Sequence, residues 1–394
     1  MLTAEMKDGR MVTLALLPKE EVESLRLETF YCPACKSDVL IKSGIKVIPH
    51  FAHRSKVECT YSGGEGEFHQ KGKLLLYQWF IDQGVNVRIE YYIAEIQQRP
   101  DIYFEIGSKK VAIEFQCAKI PLKEVIKRNE GYRKLDITPI WILGTNLYER
   151  VTTDLIKIHP FAYHMVHQYR EEGPTFLYYL CPREEKISII QHIYFLKGNI
   201  AYVQQQMYPL QQIDLRHLFA EKPLNIHRYV SVWRNEKKRF RLYRQMTYGK
   251  ERKWESSLYE KRLHRTILPS YIHLPIKNQM VMRVSLWQWQ SRILYDLIDD
   301  KEIHTTFTEK EAEWLIRSQM MDLSYFPLLK IEKHPAREYL ELLCQVGIIR
   351  EMTKGVYVKK KQISHYKNLD EALDGDYELL LGFMYNKEHI EHSL

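Results

Sequence analysis

The chain has 394 residues, of which 45% are hydrophobic and 27% are charged, and its formal net charge is +8. This length can build two or three domains with a sizeable core, and the composition is that of an ordinary soluble protein. No uncharged apolar run reaches the roughly 18 residues that a membrane helix needs, and the acidic start does not resemble a signal peptide. We therefore expect a cytoplasmic protein without membrane insertion, whose positive charge suits a polyanionic partner.

A cluster of cysteine and histidine residues characterises the first part of the chain, which we predict to be a separate module over 1–62. The candidate ligands are Cys32, Cys35, His50, His53 and Cys59. A Cys-x2-Cys pair followed by further His and Cys residues is typical of a structural zinc site, because thiolate and imidazole suit Zn²⁺. Since His50 and His53 point to opposite faces of a strand, we predict that His53 and Cys59 complete a zinc-ribbon-like site. The alternative is a redox-inert cysteine pair beside two packing histidines.

The second part, predicted over 63–150, shows the order helix, three strands, helix and strand. A helical pattern starts near Glu65 and ends at Gly84, and three strand-like runs follow it. Pro121 then opens a second helix, and the apolar run TPIWILGTN reads as a fourth strand. Further strand-like runs predict a mixed β extension over 151–225.

Two acidic residues lie where this arrangement brings strand ends together. Asp101 begins the second strand, and Glu114 lies in the third, with Gln116 on the same face two residues later. Two carboxylates that approach each other repel unless a proton or a cation intervenes, and Mg²⁺ or Mn²⁺ takes such oxygen ligands. Taken singly, each acid has a structural alternative, because Asp101 can cap a strand and Glu114 can pair with Lys109 or Lys110.

The two helices place further polar groups near these acids. Glu65, His69 and Lys73 are spaced by four residues and share one face of the first helix. Arg128 and Tyr132 share a face of the second helix for the same reason. We predict that all five border the carboxylate pocket.

Four motifs follow one another here: E-x3-H-x3-K in a helix, R-x-D at a strand, E-x-Q in the next strand and R-x3-Y in a later helix. They fall on Glu65, His69, Lys73, Arg99, Asp101, Glu114, Gln116, Arg128 and Tyr132. With this set the chain resembles the competence protein CoiA-like family, and its order of elements resembles the PD-(D/E)xK nuclease fold. The cysteine cluster and the HFAH segment are also typical of that family, so the resemblance covers roughly the first half of the chain.

The resemblance implies an α/β core of PD-(D/E)xK type and a metal-dependent DNA nuclease that processes incoming or recombining DNA in natural competence. The implied ligands of Mg²⁺ or Mn²⁺ are Glu65, Asp101 and Glu114. The groups implied to face the phosphate are His69, Lys73 and Arg128. Gln116 would position the nucleophile, but most such nucleases have lysine there, so we expect slow turnover or a substitute from among Lys119, His69 and Lys73.

Gln116 also supports an alternative from another class, a non-catalytic DNA-binding recombination accessory with a decayed nuclease core. A nuclease of RNA or of host-defence type is a third hypothesis. For the first two hypotheses we expect DNA as the partner, together with recombination proteins.

The last part, 226–394, is predicted to be mostly helical and basic. Between 228 and 265, thirteen Lys and Arg residues stand against four Glu, an excess of +9, with aromatic residues interleaved. Because cations contact phosphates and aromatic rings stack on bases, we predict a surface for single-stranded or branched DNA. The candidate contacts are Arg234, Lys237, Lys238, Arg239, Arg241, Arg244, Lys250, Arg252 and Lys253. The alternative is a solvated helix with core aromatics, and a weaker pattern suggests a winged helix near 335–361.

Overall fold

The computed structural model describes residues 1–44, 47–54, 59, 66–242 and 249–391. The chain forms a small N-terminal sheet, a large central sheet with helices on both faces, and a mostly helical C-terminal part. None of the helices in these ranges has both the length and the apolar character to span a bilayer.

The N-terminal part is a five-stranded antiparallel sheet with a small core of its own. Its elements are β1 (Thr3–Met6), β2 (Met11–Thr13), α1 (Lys19–Ser24), β3 (Phe30–Tyr31), β4 (Asp38–Gly44) and β5 (Val47–His53). The strand order is β2-β1-β3-β4-β5. Phe30 and Phe51 pack with ring centroids 4.9 Å apart, and Leu14 and Val22 belong to the same core. This core holds the segments that carry the cysteines.

Nine strands of the described residues form the central mixed sheet. They are β6 (Val87–Ile89), β7 (Ile102–Ile106), β8 (Lys109–Gln116), β9 (Ile137–Gly144), β10 (Glu149–Arg150), β11 (Leu155–Lys157), β12 (Phe176–Cys181), β13 (Lys186–Lys197) and β14 (Ile200–Pro209). Their order is β10-β11-β14-β13-β12-β9-β8-β7-β6. Strands β8, β9 and β12 run parallel, and their outer neighbours are antiparallel. The strands expected as an extension over 151–225 therefore continue the same sheet.

Two helices cover the part of this sheet that carries the carboxylates. They are α2 (Glu67–Asp82) and α3 (Leu122–Lys134). The order α2, β6, β7, β8, α3, β9 agrees with the helix, three strands, helix and strand expected from the sequence. Phe104 and Phe115 pack on the α2 side, whereas Tyr132 of α3 packs on the other face. Helix α2 approaches closely at Gly72, where a Cβ atom would lie only 1.9 Å from the Phe115 ring.

The C-terminal part packs helices around a small sheet. Its elements are α4 (Ile226–Leu242), α5 (Gly249–Glu260), α6 (Leu286–Ile293), β15 (Thr306–Thr308), α7 (Glu309–Ile316), α8 (Pro335–Gln345), β16 (Ile349–Thr353), β17 (Val356–Lys359) and α9 (Leu369–Glu391). Strand β17 lies between β15 and β16. The core includes the buried side chains of Trp233, Trp289 and Tyr339. Helix α8 and strands β16 and β17 occupy the stretch for which the sequence suggests a winged helix.

Candidate functional site

Asp101 and Glu114 are neighbours at the ends of two adjacent strands. The antiparallel register pairs Ile102 of β7 with Ile113 of β8, which sets the two acids beside each other. The Asp101 Oδ2 atom accepts the backbone N–H of Phe115 at 2.8 Å. This hydrogen bond fixes Asp101 to the strand that carries Glu114, as the sequence pattern predicts.

Helix α2 supplies two basic neighbours to Asp101. The Nε2 atom of His69 lies 3.3 Å from Asp101 Oδ2, and the Nζ atom of Lys73 lies 3.7 Å from Oδ1. Burial disfavours the charged form of Asp101, but the charges of His69 and Lys73 outweigh it and hold the pKa of this carboxyl below its usual value. Asp101 is therefore ionised at neutral pH.

Helix α3 encloses Glu114 from the other face of the sheet. The Glu114 side chain is 2% exposed, and Arg128 Nη1 donates to Glu114 Oε2 at 2.6 Å. The Tyr132 hydroxyl donates to Oε1. Burial raises the pKa of Glu114 to about 6, against the attraction of Arg128 and with added repulsion from Asp101. The two acids thus differ in proton affinity although they are neighbours.

Glu90 is a buried member of this charge cluster that none of the four sequence motifs includes. It ion-pairs with Lys73, and Arg99 Nη1 lies 3.3 Å from its Oε2 atom. The same oxygen accepts the backbone N–H groups of Leu2 at 2.8 Å and of Thr3 at 3.2 Å. An acid inside the strand-like run VRIEYYI is a usable signal, since a buried carboxylate requires partners.

The prediction that Lys73 faces a phosphate is wrong in this structure. The Lys73 side chain is 0% exposed and is enclosed between the carboxylates of Glu90 and Asp101. Its ammonium therefore compensates protein charge and is not open to a ligand. Glu65, the first residue of the same motif, lies outside the described residues.

The accessible rim of the site is formed by His69 and Arg128, whose side chains are 19% and 34% exposed. Gln116 lies two residues beyond Glu114, and its Nε2 atom donates to the Ala118 carbonyl at 2.6 Å. One amide N–H is thus held by the residue's own chain, so a contact with water or substrate would involve the Oε1 atom or the second N–H.

Aromatic contacts connect this site to a residue that lies far away in the sequence. The Phe115 ring stacks with His69 at 5.7 Å and with Phe68 at 6.3 Å between centroids. The guanidinium of Arg183, in the turn between β12 and β13, lies 6.0 Å from the Phe68 ring centroid. Strands β8 and β12 are both parallel to β9, so their carboxyl ends lie at the same end of the sheet. Because exposed Arg183 directly follows β12, it lies on the same side of the sheet as the end of β8.

The carboxylate pair has the donor chemistry of a site for a hard divalent cation. All the candidate ligands from Asp101 and Glu114 are oxygens, which suits Mg²⁺ or Mn²⁺. The mutual repulsion that helps to raise the pKa of Glu114 would be relieved by a cation between the two groups. An arriving ion would compete with Arg128 for Glu114 and with His69 for Asp101.

The cysteine and histidine cluster is assembled as a four-residue group. The ligand atoms of Cys32, Cys35, His53 and Cys59 all lie within 4.8 Å of one another. The Sγ atoms of Cys32 and Cys59 are 3.9 Å apart, and Cys35 Sγ is 3.3 Å from His53 Nε2. Burial disfavours the Cys35 thiolate, but hydrogen bonds from Ser37 and His53 lower its pKa to about 6. This donor set is compatible with a structural zinc ion.

His50 does not belong to this group. Its Nδ1 atom is hydrogen-bonded to the Ile48 carbonyl at 2.8 Å, whereas His53, three residues later on β5, points to the cysteines. The geometry thus selects His53 and Cys59 from the sequence candidates and excludes His50.

The basic segment is only partly a surface. Two of its predicted DNA contacts are wrong, because Lys237 and Arg241 are 1% and 3% exposed. Lys237 donates to the carbonyls of Ser270 and Ile272 at 2.7 and 2.8 Å. Arg241 makes a bidentate ion pair with Asp376 at 2.6 and 2.8 Å. These residues lie on the buried face of α4, so their charges are compensated by groups inside the protein.

The remaining candidates of the segment differ in placement. The exposed cations are Arg234, Lys238, Arg239, Lys250, Arg252 and Lys253. Arg244 lies outside the described residues. Trp233, Phe240 and Trp254 are buried in the C-terminal core, as the alternative interpretation expected, and are not available to stack on bases.

Comparisons with known proteins agree along the chain. Three family models match it in succession: Competence protein CoiA, N-terminal domain, over 14–62; Competence protein CoiA, nuclease-like domain, over 65–223; and Competence protein CoiA, C-terminal domain, over 229–373. Competence protein CoiA of Bacillus subtilis (strain 168) is 27% identical over 371 residues, which cover 92% of this chain and 98% of the relative. No solved structure matches the chain. From its N-terminal sheet to its C-terminal helices, the chain belongs to the competence protein CoiA family.

Proposed function

We propose that this chain is a metal-dependent nuclease that cuts DNA in natural competence and processes incoming or recombining strands after uptake. The observation that carries the proposal is the approach of Asp101 and Glu114 at adjacent strand ends, with His69 and Arg128 at the rim. The nuclease-like family model over 65–223 and the name of the Bacillus subtilis relative support it.

The chemistry would be metal-assisted hydrolysis of a phosphodiester. A bound Mg²⁺ or Mn²⁺ would stabilise charge on the phosphate and promote ionisation of water. Asp101 and Glu114 would hold the ion through their oxygens. The Arg128 guanidinium would leave Glu114 and donate to phosphate oxygens, and His69 would donate from the opposite rim. The Gln116 Oε1 atom would orient the attacking water.

The same proposal assigns the fold around the site to the PD-(D/E)xK type. The order α2, β6, β7, β8, α3, β9 supports it, as does the position of the acids at the start of β7 and in β8. We also propose that the cluster of Cys32, Cys35, His53 and Cys59 holds one structural Zn²⁺ ion that stabilises the N-terminal part.

A non-catalytic role remains the second candidate, and the charge pairing at the site favours it. Asp101 is neutralised by Lys73, and Glu114 is neutralised by Arg128, so protein cations already occupy the place of a metal. With Gln116 in the position usual for lysine, such a core would serve DNA binding in recombination without cleavage.

One assay separates the two candidates. Purified protein is incubated with single-stranded, duplex and branched DNA in Mg²⁺, in Mn²⁺ or in EDTA. The nuclease proposal predicts cleavage of at least one substrate with a divalent ion and none in EDTA. Binding without cleavage under every metal condition would instead support the accessory role.

A further inference from the structure

A groove lined by cations lies between α5 and α6 in the C-terminal part. It has a volume of about 590 Å³, and Trp254 and Leu258 line it from the α5 side. The charged residues that line it are Lys250, Lys253, Lys261, Arg292 and Asp296. Four of these five are cations, which makes the groove electropositive.

Three of the cations follow one face of α5 and its C-terminal end. Lys250, Lys253 and Lys261 recur at helical spacing, with Ser257 between them on the same face. They are exposed, and they extend over about 16 Å of helix rise. Arg292 faces them from α6 across the groove. The arrangement is a row of charges rather than an isolated pair.

Most of this charge is not neutralised by the protein. Asp296 lies 3.3 Å from Lys261 Nζ and 3.8 Å from Arg292 Nε, so it is shared by two cations. Within the described part of the chain, no carboxylate is ion-paired with Lys250 or Lys253. The groove therefore offers an anion two ammonium groups that no described carboxylate neutralises, and the only hydrogen bond that Lys250 Nζ makes to a described residue is to the Arg283 carbonyl at 3.5 Å.

A second groove of about 430 Å³ continues the first and shares Lys250, Val284 and Gln288 with it. It adds Arg283 and also Lys197, which ends strand β13 of the central sheet. The row of cations therefore runs from the sheet of the nuclease-like part into the C-terminal helices.

Glu251, the acid that lines the second groove, already accepts hydrogen bonds from the protein. The carboxylate of Glu251 accepts hydrogen bonds from Arg265 at 2.9 Å, from Trp287 at 3.0 Å and from Gln288 at 2.6 Å. It therefore contributes less negative potential to the groove than a free acid would. Lys197 is also partly engaged, since it lies 3.3 Å from Glu236.

We propose that this double groove binds the phosphate backbone of a single-stranded nucleic acid and leads it along the nuclease-like part. A concave path with cations on both walls takes one phosphate chain, whereas a duplex presents two chains on a wide cylinder. The indole N–H of Trp254 donates to Ser291 Oγ at 2.8 Å, so this ring belongs to the core. Recognition is therefore by phosphate contacts and independent of base sequence. The inference rests on the proposed nucleic-acid function but not on cleavage.

Binding is measured by fluorescence anisotropy with the full chain, a labelled single-stranded oligonucleotide and EDTA, so that no cleavage intervenes. The groove variant combines Lys250→Gln, Lys253→Gln and Arg292→Gln. We expect it to bind at least about tenfold more weakly and to flatten the log–log salt dependence by about two, since each phosphate contact contributes about 0.7 for a single strand.

The matched control combines Lys109→Gln, Lys110→Gln and Lys134→Gln, which removes the same charge from an exposed surface elsewhere. The control is expected to bind like wild type. Wild-type affinity in the groove variant, equal weakening in both variants, or no binding by wild type would overturn the inference. A duplex that binds more tightly than the single strand, and equally depends on the groove, would overturn the single-strand assignment. Groove-dependent binding without cleavage in Mg²⁺ would leave the groove supported and reject only the nuclease activity.

Discussion

The charged side chains of the candidate site are paired with one another inside the protein. Lys73 lies between Asp101 and Glu90, and Arg128 contacts Glu114. Desolvation makes buried ion pairs expensive, so removing one partner leaves an uncompensated charge. Glu90 and Lys73 therefore act as positioning groups for Asp101, although neither is open to a substrate.

The variant Glu90→Gln tests this positioning role. It leaves Lys73 without one of its carboxylates, and we expect a loss of about 3 to 5 kcal/mol in the free energy of unfolding. Chemical denaturation monitored by circular dichroism measures the loss. The control is Glu95→Gln, an exposed acid in the following segment, which should change stability by less than about 0.5 kcal/mol. Equal stability of the two variants would show that the buried pair does not hold the site together.

At the scale of secondary-structure elements, local periodicity predicts how several residues of the candidate site are arranged. The spacing of His69 on α2 and of Arg128 on α3, and the strand positions of Asp101 and Glu114, all follow from helix and strand repeats. The burial of Lys73 could not be predicted in this way, because its partner Glu90 lies on another element.

Helix α4 also contains buried cations whose partner lies on another element, and here the partner is more distant in the sequence. Composition predicts that its cations form a DNA surface, but Arg241 pairs with Asp376, which is 135 residues further along the chain. No local pattern reveals such a partner. The exposed cations of the helix and the buried ones are therefore indistinguishable by charge count alone.

The variant Arg241→Gln distinguishes a structural cation from a DNA contact. It leaves Asp376 buried with an incomplete set of partners, so we expect the free energy of unfolding to fall by about 3 to 5 kcal/mol. Its neighbour on the exposed face supplies the control, since Lys238→Gln should change stability by less than about 0.5 kcal/mol. Thermal denaturation measures the stability of both variants. An Arg241→Gln protein as stable as wild type would refute the structural role.

The cysteine and histidine cluster of the N-terminal sheet leads us to predict the metal content of the protein. Protein purified without added metal should contain about one zinc ion per chain by elemental analysis. The double variant Cys32→Ser, Cys35→Ser should lose the ion and melt at lower temperature, because the metal crosslinks segments of a small core. The variant His50→Gln is the control and should keep its zinc, since His50 lies outside the cluster. Unchanged zinc in the cysteine variant would refute the site.

At the scale of the whole molecule, buried and partly buried polar contacts join the three parts of the chain. The backbone N–H groups of Leu2 and Thr3 reach Glu90 in the central part. Lys277 of the C-terminal part donates to the Gly173 carbonyl at 2.6 Å. A change in one part is therefore expected to affect the stability of its neighbour.

Acid sensitivity of the molecule is expected from buried neutral histidines. Burial lowers the pKa of His167 to about 3, and its Nε2 atom accepts the Trp141 backbone N–H. Below about pH 6.5 the unfolded chain binds a proton here that the native state does not, so stability falls as the pH decreases. Between pH 7 and pH 5 this residue alone should remove about 2 kcal/mol.

Denaturation curves at the two pH values check this expectation. The variant His167→Gln should lose about that much of the pH dependence, whereas exposed His227→Gln should retain all of it. An unchanged pH dependence in the His167 variant would show that this histidine is not the source.

The central claim is that Asp101 and Glu114 form the active site of a metal-dependent nuclease. The most direct test is the single-turnover cleavage rate of labelled DNA in Mg²⁺ for wild type, Asp101→Asn and Glu114→Gln, with the exposed acid variant Glu105→Gln as control. We expect wild type and the control to cut, and each site variant to cut at least about a hundredfold more slowly while it remains folded. Site variants that cut as fast as wild type would contradict the assignment of the site, and a wild-type protein that binds DNA but never cuts it would contradict the claim of nuclease activity.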